Sequence, residues 1–124
     1  MAKKILIIDD EPDICSVVST FLGKKGYIAV TAKNGKEGVK TAQRLIPDLI
    51  LLDINMPKMD GYTVLEKLKN NQKTISIPVI ILTGRVDDES KEKASWHYCE
   101  HYLTKPFDLE ELASKIEQVM NTAP

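Results

Sequence analysis

Between Asp48 and Asp53 the chain runs Leu49, Ile50, Leu51 and Leu52 with no polar break. Such a run cannot show one face to water and the other to a core, so the strand it forms is buried on both faces, as in the middle of a parallel sheet. Just beyond it, Asn55, Pro57, Asp60 and Gly61 are turn and helix-start residues. Asp53 therefore stands at the carboxyl end of a central strand, the edge where open α/β sheets place their ligands.

The rest of the chain alternates around this strand. Lys3 to Ile8 is a short apolar strand that runs into Asp9, Asp10 and Glu11. Pro12 suits a first helical turn. Ile14, Val17, Val18, Phe21 and Leu22 follow at the spacing of one helix face, and Gly26 supplies a stop. Tyr27 to Ala32 reads as a second strand. Asn34 and Gly35 open a helix with Val39, Ala42 and Ile46 on one face, ended by Pro47. After the Asp53 strand, Asp60 caps a helix that buries Tyr62, Leu65 and Leu68. Pro78 to Leu82 is another apolar strand, ending in Thr83 and Gly84. A weaker helix is expected from Arg85 to His97, then a short strand from His101 to Thr104. Asp108 opens a capping box with Glu111, and Leu109, Leu112, Ile116 and Val119 form the last helix's apolar face. Five strands alternating with five helices predict an α/β, three-layer, doubly wound parallel sheet. The order 2-1-3-4-5, flavodoxin-like, is the common choice at this size.

Composition narrows the partners. Seventeen Lys and Arg against 18 Asp and Glu leave a net charge of −1, which provides no field to gather nucleic acid or an anionic membrane. No apolar run is long enough to cross a bilayer, and the apolar stretch after Met1 is too short for a signal peptide. Cys15 and Cys99 make no Cys-x-x-Cys motif and are too few for a disulfide scaffold, so a reducing, cytoplasmic setting is expected. His97, Cys99 and His101 alternate but show no fourth ligand, and they read as surface or packing residues rather than zinc ligands. Trp96 and Tyr98 fit either a patch for a partner or packing under a weak helix. The 124 residues suit one domain, 1–124, and no DNA-binding or catalytic output segment follows the last helix in this sequence.

In a parallel sheet all strand carboxyl ends share one edge. There the first strand delivers Asp9 and Asp10, the third Asp53, the fourth Thr83 and the fifth Lys105. Three close carboxylates repel one another and call for a cation, and oxygen ligands suit a hard ion such as Mg²⁺. A carboxylate can itself be a nucleophile, as in aspartyl-phosphate chemistry. Phosphoryl transfer needs the charge on three equatorial oxygens offset: Mg²⁺ would take one, the Lys105 ammonium another and the Thr83 hydroxyl the third. The set suffices to move a phosphoryl group onto Asp53. Each residue alone has a blander reading: an acidic helix start, a strand-end hydroxyl, a solvated lysine, a turn proline, a core tyrosine.

In this order and spacing, Ile8-Asp9-Asp10-Glu11-Pro12, the stretch Leu52 to Gly61, Leu82-Thr83-Gly84 and Tyr102-Leu103-Thr104-Lys105-Pro106-Phe107 make the chain resemble, over its whole length, the receiver domain of two-component response regulators. The resemblance implies that Asp53 accepts phosphate from a phosphohistidine on a sensor histidine kinase or histidine phosphotransfer protein. It implies Mg²⁺ held by Asp10, Asp53 and the Asn55 main-chain carbonyl, with Asp9 acting through a water. Thr83 and Lys105 would bind the phosphoryl group. Tyr102 would be the switch aromatic, turning inward as Thr83 moves toward the phosphate. Gly84 would be the small residue beside the acceptor, and the Lys105–Pro106 bond one that is often cis. A downstream output protein or domain is then the partner, with no nucleic acid or membrane bound directly. Such a domain catalyses only its own phosphorylation and dephosphorylation. Where many members carry a Gly-Ala pair before the switch aromatic, this chain has Tyr98 and Cys99. The competing readings are a Mg²⁺-dependent phosphatase with an Asp nucleophile and a scaffold that is never phosphorylated. The first would need an Asp-x-Asp-Gly-Thr motif that the residues after Asp53 do not supply. The intact set Asp10, Asp53, Thr83 and Lys105 argues against the second.

Overall fold

The structure, a computed structural model, describes residues 2–56, 60–84 and 101–121. In chain order the elements are β1 (Lys4–Ile8), α1 (Pro12–Lys24), β2 (Ile28–Ala32), α2 (Gly35–Leu45), β3 (Leu49–Asp53), α3 (Gly61–Lys69), β4 (Val79–Thr83), β5 (His101–Thr104) and α4 (Leu109–Asn121). The helix expected from Arg85 to His97, and the readings of Trp96, Tyr98 and Cys99, lie outside the described residues. The strands form one parallel sheet, as the alternation predicts, and their order β2-β1-β3-β4-β5 is the flavodoxin-like one, the common choice at this size.

β3 is buried at every position. Its side chains alternate between two cores. Ile50 and Leu52 join Leu6, Ile8, Val64, Leu65 and Leu68 on one face of the sheet. Leu49 and Leu51 join Val18 and Leu22 of α1 and Leu112, Ile116 and Val119 of α4 on the other. Each such Leu or Ile stabilises the fold by about 1.5–3 kcal/mol through burial. Asp48 fixes β3 on β1: its amide donates to the Lys4 carbonyl at 2.8 Å, and its carboxylate accepts from the Lys4 amide at 2.8 Å.

Element ends follow local chemistry. Gly26 takes φ +94 beyond α1, and the Tyr27 amide turns back to the Leu22 carbonyl at 3.0 Å. Tyr27 is thereby committed to closing the helix, and β2 begins one residue later than the sequence suggests. β4 begins at Val79 rather than Pro78 because proline has no N–H for the ladder; its carbonyl still accepts from Ile50 at 3.0 Å. Asn34 and Asp60 cap α2 and α3 by accepting from the Glu37 and Thr63 amides, both at 2.8 Å. Asp108 accepts from the Glu110 amide at 2.8 Å at the start of α4.

Two apolar expectations are corrected. Val17 is 53% exposed, because the buried face of α1 centres on Val18 and Leu22 and its neighbour turns about 100° away. Ile46 sits i+4 from buried Ala42 but is 45% exposed. The helix has ended, and Ile46 takes φ 48, ψ 67, a left-handed cap that points the side chain outward. Tyr62 and Leu109, expected in the core, are half-buried, whereas Val64, not singled out from the sequence, is fully buried. A buried Lys69 also escaped the pattern. Its Nζ donates to the Ile75 and Ile77 carbonyls at 3.0 and 2.6 Å, tying the loop before β4 to the end of α3.

Candidate functional site

Three strand ends bring the site together. At the end of β1 the Asp9 amide donates to the Ala32 carbonyl at 3.1 Å, continuing the pairing with β2 one residue past the strand. The Asp9 side chain is fully buried. Its Oδ1 accepts from the Glu11 amide at 2.9 Å, a local turn that brings the chain into α1. At the end of β3 Asp53 is 2% exposed, and its Oδ1 accepts from the Asn55 amide at 3.0 Å. After β5, Lys105 projects its ammonium between these carboxylates and stands in a cis Lys105–Pro106 unit. Its Nζ lies 2.9 Å from Asp9 Oδ2, 2.9 Å from Glu11 Oε1 and 3.4 Å from Asp53 Oδ2.

Gly61 lets α3 start against the backbone at the end of β3. Its amide donates to the Ile54 carbonyl at 3.0 Å. A Cβ there would meet the Ile54 backbone and come within 2.8 Å of the Asp53 carbonyl oxygen. The sequence offers Gly61 as a turn residue; the structure needs it because α3 starts directly against the Asp53 and Ile54 backbone. At Gly84 an added Cβ would meet nothing within 4 Å among the described residues.

Carboxylate oxygens of Asp9, Asp10, Glu11 and Asp53 lie within 4.8 Å of one another. Half-buried Asp10 has no hydrogen-bond or ion-pair partner among the described residues. Four carboxylates against one ammonium, all oxygen donors with one carboxylate uncommitted, suit a hard divalent cation. Glu11 is the member that sequence reasoning missed. It was legible only as the third acid of an acidic run, and its role depends on a contact with Lys105, 94 residues away.

The electrostatics follow from burial. Burial pushes the Asp53 carboxyl up to about 6; the Asn55 amide opposes this, Asp9 adds to it and Lys105 opposes it. Burial alone would lower the Lys105 ammonium, but its hydrogen bonds to Asp9 and Glu11 and the Asp53 charge hold it above the usual lysine range. Cys15 donates its thiol to the Asp9 carbonyl at 3.3 Å. Burial and the Asp9 charge raise that thiol to about 11, so it stays protonated at neutral pH.

Of the residues singled out from the sequence, the structure brings Asp9, Asp10, Asp53 and Lys105 into one cluster. Asn55 adjoins it through its amide. Thr83 ends β4, the strand beside β3, and pairs with Thr104 of β5. Tyr102 lies in β5, half-buried against the core that holds Ile81 and Leu52.

A five-stranded parallel domain of this order, with an acidic cluster and a half-buried lysine at its carboxyl edge, has the architecture of a phosphoryl-accepting signalling module. Residues 5–117 match the model of the response regulator receiver domain, and the chain belongs to that family. It is 40% identical over 117 residues to the DNA-binding dual master transcriptional regulator RpaA of Synechocystis sp., an alignment covering 94% of this chain and 48% of that protein. It is 34% identical over 120 residues to the alkaline phosphatase synthesis transcriptional regulatory protein PhoP of Bacillus subtilis, covering 97% of this chain and 49% of that protein. The chain thus spans about half the length of these curated relatives. Among solved structures, Vibrio cholerae chemotaxis protein CheY4 superposes with a TM-score of 0.92 at 30% identity, covering 96% of this chain and 99% of that one. The receiver domain of the sensor histidine kinase PA1611 from Pseudomonas aeruginosa, solved with a magnesium ion coordinated in its active-site cleft, gives 0.90 at 26% identity. That match covers 98% of this chain and 100% of the other. No helix among the described residues is long and apolar enough to cross a membrane.

Proposed function

We propose that residues 1–124 act as one receiver domain in which Asp53 is the phosphoryl acceptor. The observation that carries this is the geometry around Asp53: a carboxylate 2% exposed, with an ammonium at 3.4 Å and three further carboxylates clustered beside it. An acceptor must be ionised to attack, and a carboxyl raised to about 6 is mostly ionised at neutral pH while remaining a stronger nucleophile than an ordinary one. The donor is a phosphohistidine of a sensor histidine kinase or histidine phosphotransfer protein. An Asp53 oxygen attacks phosphorus, the bond from phosphorus to the imidazole nitrogen breaks, and its electron pair leaves with the imidazole, which takes up a proton.

Lys105 remains protonated and offsets charge on a phosphoryl oxygen, and the Thr83 hydroxyl binds another. Asp10, Asp53 and the Asn55 carbonyl are the ligands that would hold Mg²⁺; when bound, it offsets the acidic cluster and shares the charge of a phosphoryl oxygen. Asp9 already spends both its oxygens, on the Glu11 amide and on Lys105, which supports a part played through water rather than direct ligation. Thr83 on β4 and Tyr102 on the adjacent β5, two residues apart in register, are the pair through which phosphorylation would reach an output protein or domain. The chain's catalysis is limited to gaining and losing its own phosphoryl group.

The test is incubation with acetyl phosphate and Mg²⁺, read by intact mass and by phosphate release. One phosphoryl group per chain, lost in Asp53→Asn, is the expected result. Wild-type labelling in Asp53→Asn would overturn the assignment. Many turnovers of free phosphate per chain would favour the phosphatase reading instead.

A further inference from the structure

We propose that Glu11 is a positioning residue: it holds the Lys105 ammonium in the resting protein and must release it when a phosphoryl group arrives on Asp53. This rests on the reading of Asp53 as acceptor. Glu11 occupies the N-cap of α1, yet its side chain makes no capping bond. Glutamate is a poor cap, and Pro12 behind it has no N–H to offer. The carboxylate instead reaches Lys105 at 2.9 Å, at the far end of the chain.

An ammonium has three N–H donors. Here two are engaged at 2.9 Å, by Asp9 and Glu11, and Asp53 stands farther off at 3.4 Å. The third N–H is left for Asp53, but drawing the ammonium in from 3.4 Å to a short contact with a phosphoryl oxygen there stretches the two 2.9 Å bonds, and one of them has to yield. The Asp9 side chain is fully buried, and releasing it would strand a charge away from water. The Glu11 side chain is 56% exposed, and water replaces the lost partner at little cost. Glu11 is therefore the partner that exchanges. Its negative charge, within the 4.8 Å cluster, also repels an incoming phosphoryl group. Both effects make the resting form hold out against phosphorylation, and both are removed by Glu11→Gln, which keeps the shape of the side chain.

The experiment measures binding of beryllofluoride, a tetrahedral stand-in for a phosphoryl group on a carboxylate, by fluorine NMR. Mg²⁺ is kept saturating for each variant, its affinity having been measured separately. Exchange of one half-exposed ion pair is worth about two- to fivefold in an equilibrium. Glu11→Gln is expected to tighten beryllofluoride binding by about that factor. In a Lys105→Met background the same substitution is expected to give less than half the effect on a logarithmic scale. In the metal-free protein the nitrogen NMR signal of the Lys105 ammonium is expected to shift in Glu11→Gln, which a purely structural role would not cause. Unchanged or weaker binding in Glu11→Gln, or an equal gain without Lys105, overturns the proposal. A wild type that binds no beryllofluoride, or binds it as well in Asp53→Asn, overturns the acceptor reading and this one with it.

Discussion

Removing the charge of Asp53 is expected to stabilise the metal-free protein. The folded state pays to keep this carboxylate ionised, because burial lifts its proton affinity from the ordinary 3.8 to about 6. At about 1.4 kcal/mol per tenfold change in proton affinity, the ionised form above pH 7 costs about 3 kcal/mol relative to the unfolded chain. Asn at this position keeps an acceptor for the Asn55 amide, now at 3.0 Å, but brings an NH₂ group that also needs a partner. That returns about 1 kcal/mol or more of the gain, leaving about 1–2 kcal/mol. For a chain of this size the melting temperature of Asp53→Asn should rise by roughly 4–8 °C at pH 7.5 in EDTA.

The pH dependence carries a definite sign. A carboxyl raised in the folded state stabilises when protonated; that stability is fully present below 3.8 and is lost as pH rises through about 6. Wild type has lost it at pH 7.5 and regains it on acidification, whereas Asn has nothing there to titrate. The gap between the two proteins should therefore narrow as pH falls toward 4. Added Mg²⁺ should favour wild type, by about 2.7 kcal/mol at a hundred times its dissociation constant, and the variant less, since a ligand charge is gone. The assay is a set of melts followed by circular dichroism at several pH values, with EDTA and with Mg²⁺. A metal-free Asp53→Asn that melts below wild type at pH 7.5, or a gap that ignores pH, would refute the argument that burial makes the ionised Asp53 costly to the fold.

Gly61→Ala should destabilise by about 1–3 kcal/mol, because its new methyl collides with the Ile54 backbone and the Asp53 carbonyl, and should slow acetyl phosphate labelling; denaturant melts and labelling rates at wild-type values would discount the close approach. Ile46→Gly should raise stability by about 1 kcal/mol, since it relieves a branched residue from the left-handed region at a site where the side chain is 45% exposed; urea unfolding with no gain, or with a loss, would show that Ile46 is held there by contacts worth more than the strain.

Patterns within a few residues of one another determined most of the fold. The unbroken run Leu49–Leu52 signals a strand covered on both sides because a parallel strand under two helical layers has no wet face. Asn34 and Asp60 mark helix starts because their short side chains reach the first free amides, and Gly26 marks a stop because it alone enters the left-handed region without cost. Parallel topology then implies that Asp9, Asp10, Asp53, Thr83 and Lys105 arrive at one edge, so the class of chemistry was legible before any coordinate. The strand order was only a choice among precedents, because periodicity records which faces are dry and not which strand lies beside which. Spacing placed Ile46 and Val17 on buried faces; the end of α2 and the true centre of the α1 face turned both outward. Gly61 reads as a turn residue until α3 is seen resting on the Asp53 backbone. Glu11 reads as one more acid at a helix start until Lys105 arrives from the other end of the chain at 2.9 Å. Local chemistry is written within a few residues, whereas the partner of a charge is set by which distant segments packing brings together, and only the tertiary structure decides that.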